Sequence, residues 1–194
     1  MHEICRDVKS YVSTTPLLIV GLGNPILTDD GVGVKVARVV AARLATASVR
    51  RPSANKEVGR GLPTDAPPTE VVEASVGGLR LMEMMVGYAR VILIDALYHP
   101  SVAPGSVHRM TLEDLATAAP HEPEHLASAH DTSLLTALEA GRRLGLALPD
   151  EVVIYAIGVQ DILTFGERLT QAVAETVPAV VEAVVGEIAV EAQG

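Results

Sequence analysis

Two stretches of this sequence crowd together groups that can do chemistry. The first is Gly21-Leu22-Gly23-Asn24-Pro25-Ile26-Leu27-Thr28-Asp29-Asp30-Gly31-Val32-Gly33, which follows an apolar run. Its adjacent acids, Asp29 and Asp30, stand where a helix should begin. There an acid caps the helix, stabilises its dipole, or offers oxygen to a cation. Gly21 and Gly23 also invite a dinucleotide-binding reading, because backbone without a Cβ lets a pyrophosphate approach closely. That fingerprint needs a third Gly or Ala at the sixth position, which here is Ile26, and Pro25 and Thr28 lengthen the turn. Glu73, an acid at the end of a later strand-like run, keeps a nucleotide-binding oxidoreductase open as an alternative.

The second stretch, His121-Glu122-Pro123-Glu124-His125, matches the zincin pattern H-E-x-x-H. That chemistry needs both imidazoles one turn apart on a regular helix, with the Glu as base on a metal-bound water. Pro123 removes a helix donor between the two His, and Pro120 precedes them. The segment reads better as a polar loop near a site, with a helper contact to substrate. His99 is a further candidate, close after Asp95. Met82, Met84 and Met85 fit helix packing. No Ser sits in a G-x-S-x-G elbow, and the single cysteine, Cys5, lies far from these motifs, so no nucleophile stands out.

The elements that must position these groups emerge from pattern. Residues 16–21 read as a buried strand, followed by a helix opening at Asp29 or Asp30 and running to about residue 46. Further strands are expected at 70–73, 91–94 (ending at Asp95), 106–110 and 152–157. Helices are expected near 78–88, 111–118, 131–145 and 168–190. This alternation predicts one α/β domain over residues 1–194: three layers, with a mostly parallel twisted sheet of about five strands and helices on both faces. Residues 48–68, rich in Pro, Gly and basic side chains, read as a flexible insert, and 1–15 as an N-terminal extension. In such sheets ligands bind beyond the carboxyl ends of the strands, which directs attention to residues 22–30, 73–78, 95–100 and 158–166.

Composition agrees. The chain has 194 residues, 48% hydrophobic but only 3% aromatic, so the core must be aliphatic, as in strands buried on both faces. A net charge of −9 argues against nucleic acid and against an anionic membrane surface. One cysteine allows no internal disulfide, no apolar run approaches the roughly 20 residues of a membrane span, and the charged start is no signal peptide. The expectation is a cytoplasmic monomer.

The string from Gly21 to Gly33 resembles the opening signature of the hydrogenase maturation endopeptidases. The resemblance continues through Gly77-Gly78-Leu79, Asp95-Ala96, Pro104-Gly105, Ser128-Ala129-His130-Asp131 and Ile157-Gly158-Val159, in the family's order. It implies a hydrolase that removes the C-terminal extension of a [NiFe]-hydrogenase large-subunit precursor after nickel insertion. It also implies a metal held by Asp30, Asp95 and His130, which would carry recognition or catalysis. The nickel would come with the precursor, other divalent ions substituting in vitro. Supporting roles fall on Gly23, Asn24, Asp29, Gly77, Gly78 and Asp131. Two carboxylates and an imidazole suit a borderline divalent ion, although each residue has a plainer use as a cap or a surface group. The chain departs from the family where Asp-Gly-Gly is usual: it has Glu73-Ala74-Ser75-Val76-Gly77-Gly78. A non-catalytic assembly chaperone of the same fold is the other reading.

Overall fold

The apolar run folds as β1 (Leu17–Leu22), buried along its whole length. Its residues alternate between two cores: Leu17 and Ile19 face one, Leu18, Val20 and Leu22 the other. Every other element is arranged around that two-sided strand. The computed structural model describes residues 16–49, 69–118 and 131–191.

The order is β1, α1 (Val32–Val49), β2 (Thr69–Ala74), α2 (Gly78–Met85), β3 (Arg90–Tyr98), β4 (Val107–Thr111), α3 (Leu112–Ala118), α4 (Asp131–Arg143), β5 (Glu151–Val159) and α5 (Gln171–Glu191). The five strands among the described residues pair in the order β2-β1-β3-β5-β4. All pairings are parallel except β4 with β5. Val32, Val36 and Val40 of α1 and Val173, Val180, Val181 and Val184 of α5 build the first core. Leu81, Met82 and Met85 of α2, Leu115 of α3, and Leu134 and Leu138 of α4 build the second. The three-layer α/β expectation holds, and the three methionines pack in the second core as expected.

Going from β1 to β2 the chain moves one way across the sheet over one face. Going from β2 to β3, and from β3 to β5, it moves the other way over the opposite face. All three crossovers therefore share one hand, as βαβ units require. The reversal opens a crevice at the carboxyl ends of β1 and β3, where this topology binds ligands.

Several boundaries differ by a few residues from those expected of the sequence, among them the end of α2 at Met85 and the start of α5 at Gln171, and those of β3 and α1 bear on the site. Strand β3 does not end at Asp95 but continues to Tyr98, because β5 pairs with it throughout, up to Tyr98 with Val159. β1 pairs only as far as Gly21 with Ile94, so Asp95 sits inside β3 just where its β1 neighbour is lost. Helix α1 starts at Val32 rather than at the acids, and it runs to Val49, into the stretch read as an insert. The rest of that stretch, 50–68, and the extension 1–15 lie outside the described residues. Among the described residues, no helix is long and apolar enough to cross a membrane.

Helix α1 rides close on β1 because glycines face each other. A methyl on Gly33 would stand 2.2 Å from the Ile94 carbonyl oxygen and 2.4 Å from that of Leu22. One on Gly21 would stand 2.4 Å from the Gly33 carbonyl oxygen. Such contacts forbid a Cβ unless the helix lifts off the sheet. We expect Gly33→Ala to cost about 3 kcal/mol or more, read as a lower midpoint in urea unfolding with little change in slope.

At the other end of the sheet a half-buried acid joins four elements. Glu187 of α5 accepts from Arg109 of β4 at 2.7 Å and from Tyr155 of β5 at 3.0 Å, and pairs with Arg90 of β3. Burial would raise its pKa, but the hydrogen bonds from Arg109, Arg90 and Tyr155 outweigh that and lower it to about 2. A carboxylate with a depressed pKa stabilises the fold above its unfolded value, near 4.5, and loses that contribution as pH falls towards 2. The difference is worth roughly 2–3 kcal/mol. Melting curves should therefore show Glu187→Gln well below wild type at pH 7, with the gap closing between about pH 4.5 and 2.

Candidate functional site

The site is built from the loops that leave β1, β3 and β5. Gly23 leaves β1 with φ of +119°, a conformation side-chain-bearing residues rarely adopt. A Cβ there would also fall 1.8 Å from the Asp30 carbonyl oxygen. Its N–H donates to Ala74 of β2 at 3.1 Å, and Ser75 Oγ donates to its carbonyl at 2.8 Å. The loop then folds back on itself. The Ile26 N–H donates to Asn24 Oδ1, and the Asn24 N–H donates to Asp30 Oδ2 at 2.7 Å. Asp30 is thus held by Asn24 at the mouth of the loop, partly exposed.

Asp29, its neighbour, is 0% exposed and does something different. Its carboxylate accepts from Thr170 N–H at 2.7 Å and Thr170 Oγ1–H at 2.9 Å. It also accepts from the N–H groups of Asp161 at 3.2 Å and Gln160 at 3.3 Å. All these donors lie in the loop between β5 and α5. The expectation that one of the two acids caps α1 is therefore corrected: the described carboxylate bonds of Asp29 run to the distant β5–α5 loop, and that of Asp30 runs back to Asn24 within its own loop.

The same two loops are zipped along their backbones. Thr28 donates to the Thr164 carbonyl through both N–H and Oγ1, the Asp29 N–H donates to Asp161, and the Gly166 N–H donates to Ile26. Leu27 and Phe165 form an antiparallel bridge. Asp161 Oδ1 accepts from Leu163 and Thr164, fixing the tip, and those bonds hold its pKa below the usual carboxylate value. Topology alone points to 158–166 without singling out a residue there. The signals that could have done so are an Asp followed three residues on by Thr, an Asx-turn pattern, and Thr170 just before the last helix.

Asp95 is 4% exposed, and the Ala96 N–H donates to its Oδ1 at 2.8 Å. On β3 the neighbours Ile94 and Ala96 belong to the α1/α5 core, so by alternation Asp95 belongs to the face carrying α2 and α4. Helix α4 begins at Asp131. His130, just before it, lies outside the described residues, as does the segment His121–His125. Asp30 thus lies against Gly23, just past β1, and Asp95 lies on β3 just past its last pair with β1. Among the described residues, no three His, Cys, Asp or Glu side chains converge to hold a metal.

Around this centre, Gly77 is the N-cap of α2 and supplies no side chain to it, and Gly78 opens that helix with φ of +54°. His99 comes after β3, where Ser101 N–H donates to its Nδ1 at 3.1 Å. Glu73 is engaged by Arg38 of α1 at 2.9 and 2.8 Å, a two-pronged pair that lowers its pKa. That pairing gives Glu73 a structural use, tying α1 to β2, instead of a ribose contact. Gly158 and the Pro104-Gly105 turn are tied by backbone bonds of 2.8 Å, and Thr176 of α5 donates to the Gly105 carbonyl.

Comparisons with known proteins fit this arrangement. Residues 61–187 match the family model described as hydrogenase maturation protease. The matched stretch includes Asp95 and the position of His130 but starts after the Asp30 loop. Among solved structures, the [NiFe] hydrogenase maturation protease HybD from Thermococcus kodakarensis superposes with a TM-score of 0.61 at 22% identity, covering 89% of this chain and 99% of its own. The hydrogenase maturating endopeptidase HybD from Escherichia coli gives 0.66 at 20% identity, with 91% and 93% covered. The maturation protease HycI from Thermococcus kodakarensis KOD1 gives 0.57 at 16%, with 90% and 92% covered. No curated protein matches the sequence significantly.

The two acids should separate by experiment. Asp29→Ala removes a buried acceptor from four part-buried donors and should cost about 2–4 kcal/mol in denaturant unfolding. Asp30→Ala, partly exposed with a single described bond, should cost no more than about 1 kcal/mol.

Proposed function

The chain belongs to the hydrogenase maturation protease family, and from that premise we propose that it removes the C-terminal extension of a nickel-loaded [NiFe]-hydrogenase large-subunit precursor. The observation that supports this reading is that Asp30 folds back against Gly23, just past β1, while Asp95 lies on β3 one residue beyond its last pairing with β1, at the topological switch point of the sheet. Asp30, Asp95 and His130 recognise the nickel that the precursor already carries. Two carboxylates and an imidazole are suitable donors for that ion.

Recognition of substrate-borne metal makes cleavage conditional. A precursor without nickel lacks the docking contact, so its scissile bond is not held at the site, and discrimination arises from the missing partner. Once the precursor is held, water adds to the carbonyl carbon, the C–N bond breaks, and the departing amine takes a proton. Asn24 fixes the Asp30 carboxylate and Ala96 fixes that of Asp95, so both meet the metal with little reorganisation. Fixed donors of this kind orient a ligand set much as outer-shell hydrogen bonds do.

The test is cleavage of nickel-loaded and nickel-free precursor by wild type, Asp30→Ala, Asp95→Ala, His130→Ala and His121→Ala. We expect only loaded precursor to be cut, with kcat/KM falling at least about 100-fold in the first three variants and little changed in His121→Ala. Equal cleavage of both precursors would sink nickel recognition. Loss in His121→Ala with full activity in His130→Ala would move the metal to the H-E-x-x-H segment.

A further inference from the structure

The core of this protein is aliphatic, yet its only phenylalanine is not in it. Phe165 is 80% exposed, Leu163 is 82% exposed, and Ile26 is 50% exposed. All three lie on the two zipped loops: Phe165 bridges Leu27, and the Ile26 carbonyl accepts from Gly166. Exposed apolar residues scattered singly need no explanation, but a cluster on one feature does.

Looseness does not account for the exposure. The Thr164 carbonyl takes two donors from Thr28, Asp161 takes two amides, and Asp29 anchors the base with four bonds. The tip is a rigid ledge that holds apolar side chains in water. Ordering them in advance lowers the entropy cost of docking a partner on them.

We propose that Ile26, Leu163 and Phe165 form a ledge that seats an apolar segment of the precursor beside the bond to be cut. This rests on the proposed protease function, since the occupant is the molecule whose metal meets Asp30. Two observations select that occupant. Ile26 and Asp30 share one loop, closed by the Asn24–Asp30 bond, so whatever covers the ledge is continuous with whatever reaches Asp30. The three side chains also expose on the order of 400 Å², about half the roughly 800 Å² per partner of a stable interface. A second copy of this chain would find too little area there. A substrate that is also held through a metal needs no more.

The experiment uses a Leu163→Ser, Phe165→Ser double variant with Phe165→Leu as the conservative control. For nickel-loaded precursor, KM should rise roughly tenfold in the double variant with kcat within twofold and the melting temperature unchanged, and Phe165→Leu should stay near wild type. Unchanged KM, or a fall in kcat alone, overturns the ledge. So does sedimentation showing a wild-type dimer that the double variant dissociates. A second arm measures equilibrium binding of nickel-free precursor, which should weaken by a similar factor. That arm separates the two ideas: if wild type cuts no precursor, the protease reading fails, while weaker binding by the double variant still supports the ledge.

Discussion

The Asp29 carboxylate has no exposed surface, so all its hydration has been exchanged for protein donors. Those donors come from Thr170, Gln160 and Asp161, more than 130 residues away in sequence. A buried carboxylate tolerates nothing less than near-complete satisfaction. The position of the first loop is therefore set by the last one. Asp30 inherits that position through the chain, and α1 begins only after both acids have been placed. The close approach of Gly33 to β1 and β3 fixes the helix from below, while the Asp29 contacts fix the loop from above.

Much of the fold was legible because hydrophobic period is a local property. β1 and β5 are continuous apolar runs, and parallel strands covered on both faces must look like that. The antiparallel edge strand β4 alternates more weakly and is marked by its Pro-Gly turn. Helix starts were less legible. The acids before α1 look like caps because short-range rules favour that use, but Asp29 is redirected by distant donors and Asp30 by Asn24 in its own loop. The length of β3 is hidden for a similar reason: its end is set by β5 alongside it, not by its own residues.

The site was legible in part. Asp95 stands out as an acid in an apolar strand, and Asp30 as part of a dense motif. The difference between Asp29 and Asp30 could not be read, because both are the same residue type and their partners lie at opposite ends of the chain. The β5–α5 loop is marked by topology but not by residue. Its donors to Asp29 are mostly backbone N–H groups, which every sequence possesses and no motif reveals. Glu73 looks like a ribose ligand because its partner, Arg38, is a helix away.

The strands at the rim of the sheet carry one more consequence. β2 exposes Glu70 and Glu73 along one margin, and β4 exposes His108 and Arg109 along the other. Unpaired margins of a sheet are templates for another chain's backbone, and charged side chains there discourage such stacking. Arg109 is also tethered to Glu187, which draws its charge back towards the body. A chain this rich in Val, Ile and Leu is a hazard for fibrous aggregation wherever its strands are open. Its most apolar strands, β1, β3 and β5, are all interior, and both terminal ones carry exposed charge in mid-strand. The strand order therefore also protects a crowded solution of this protein from assembling sheet to sheet.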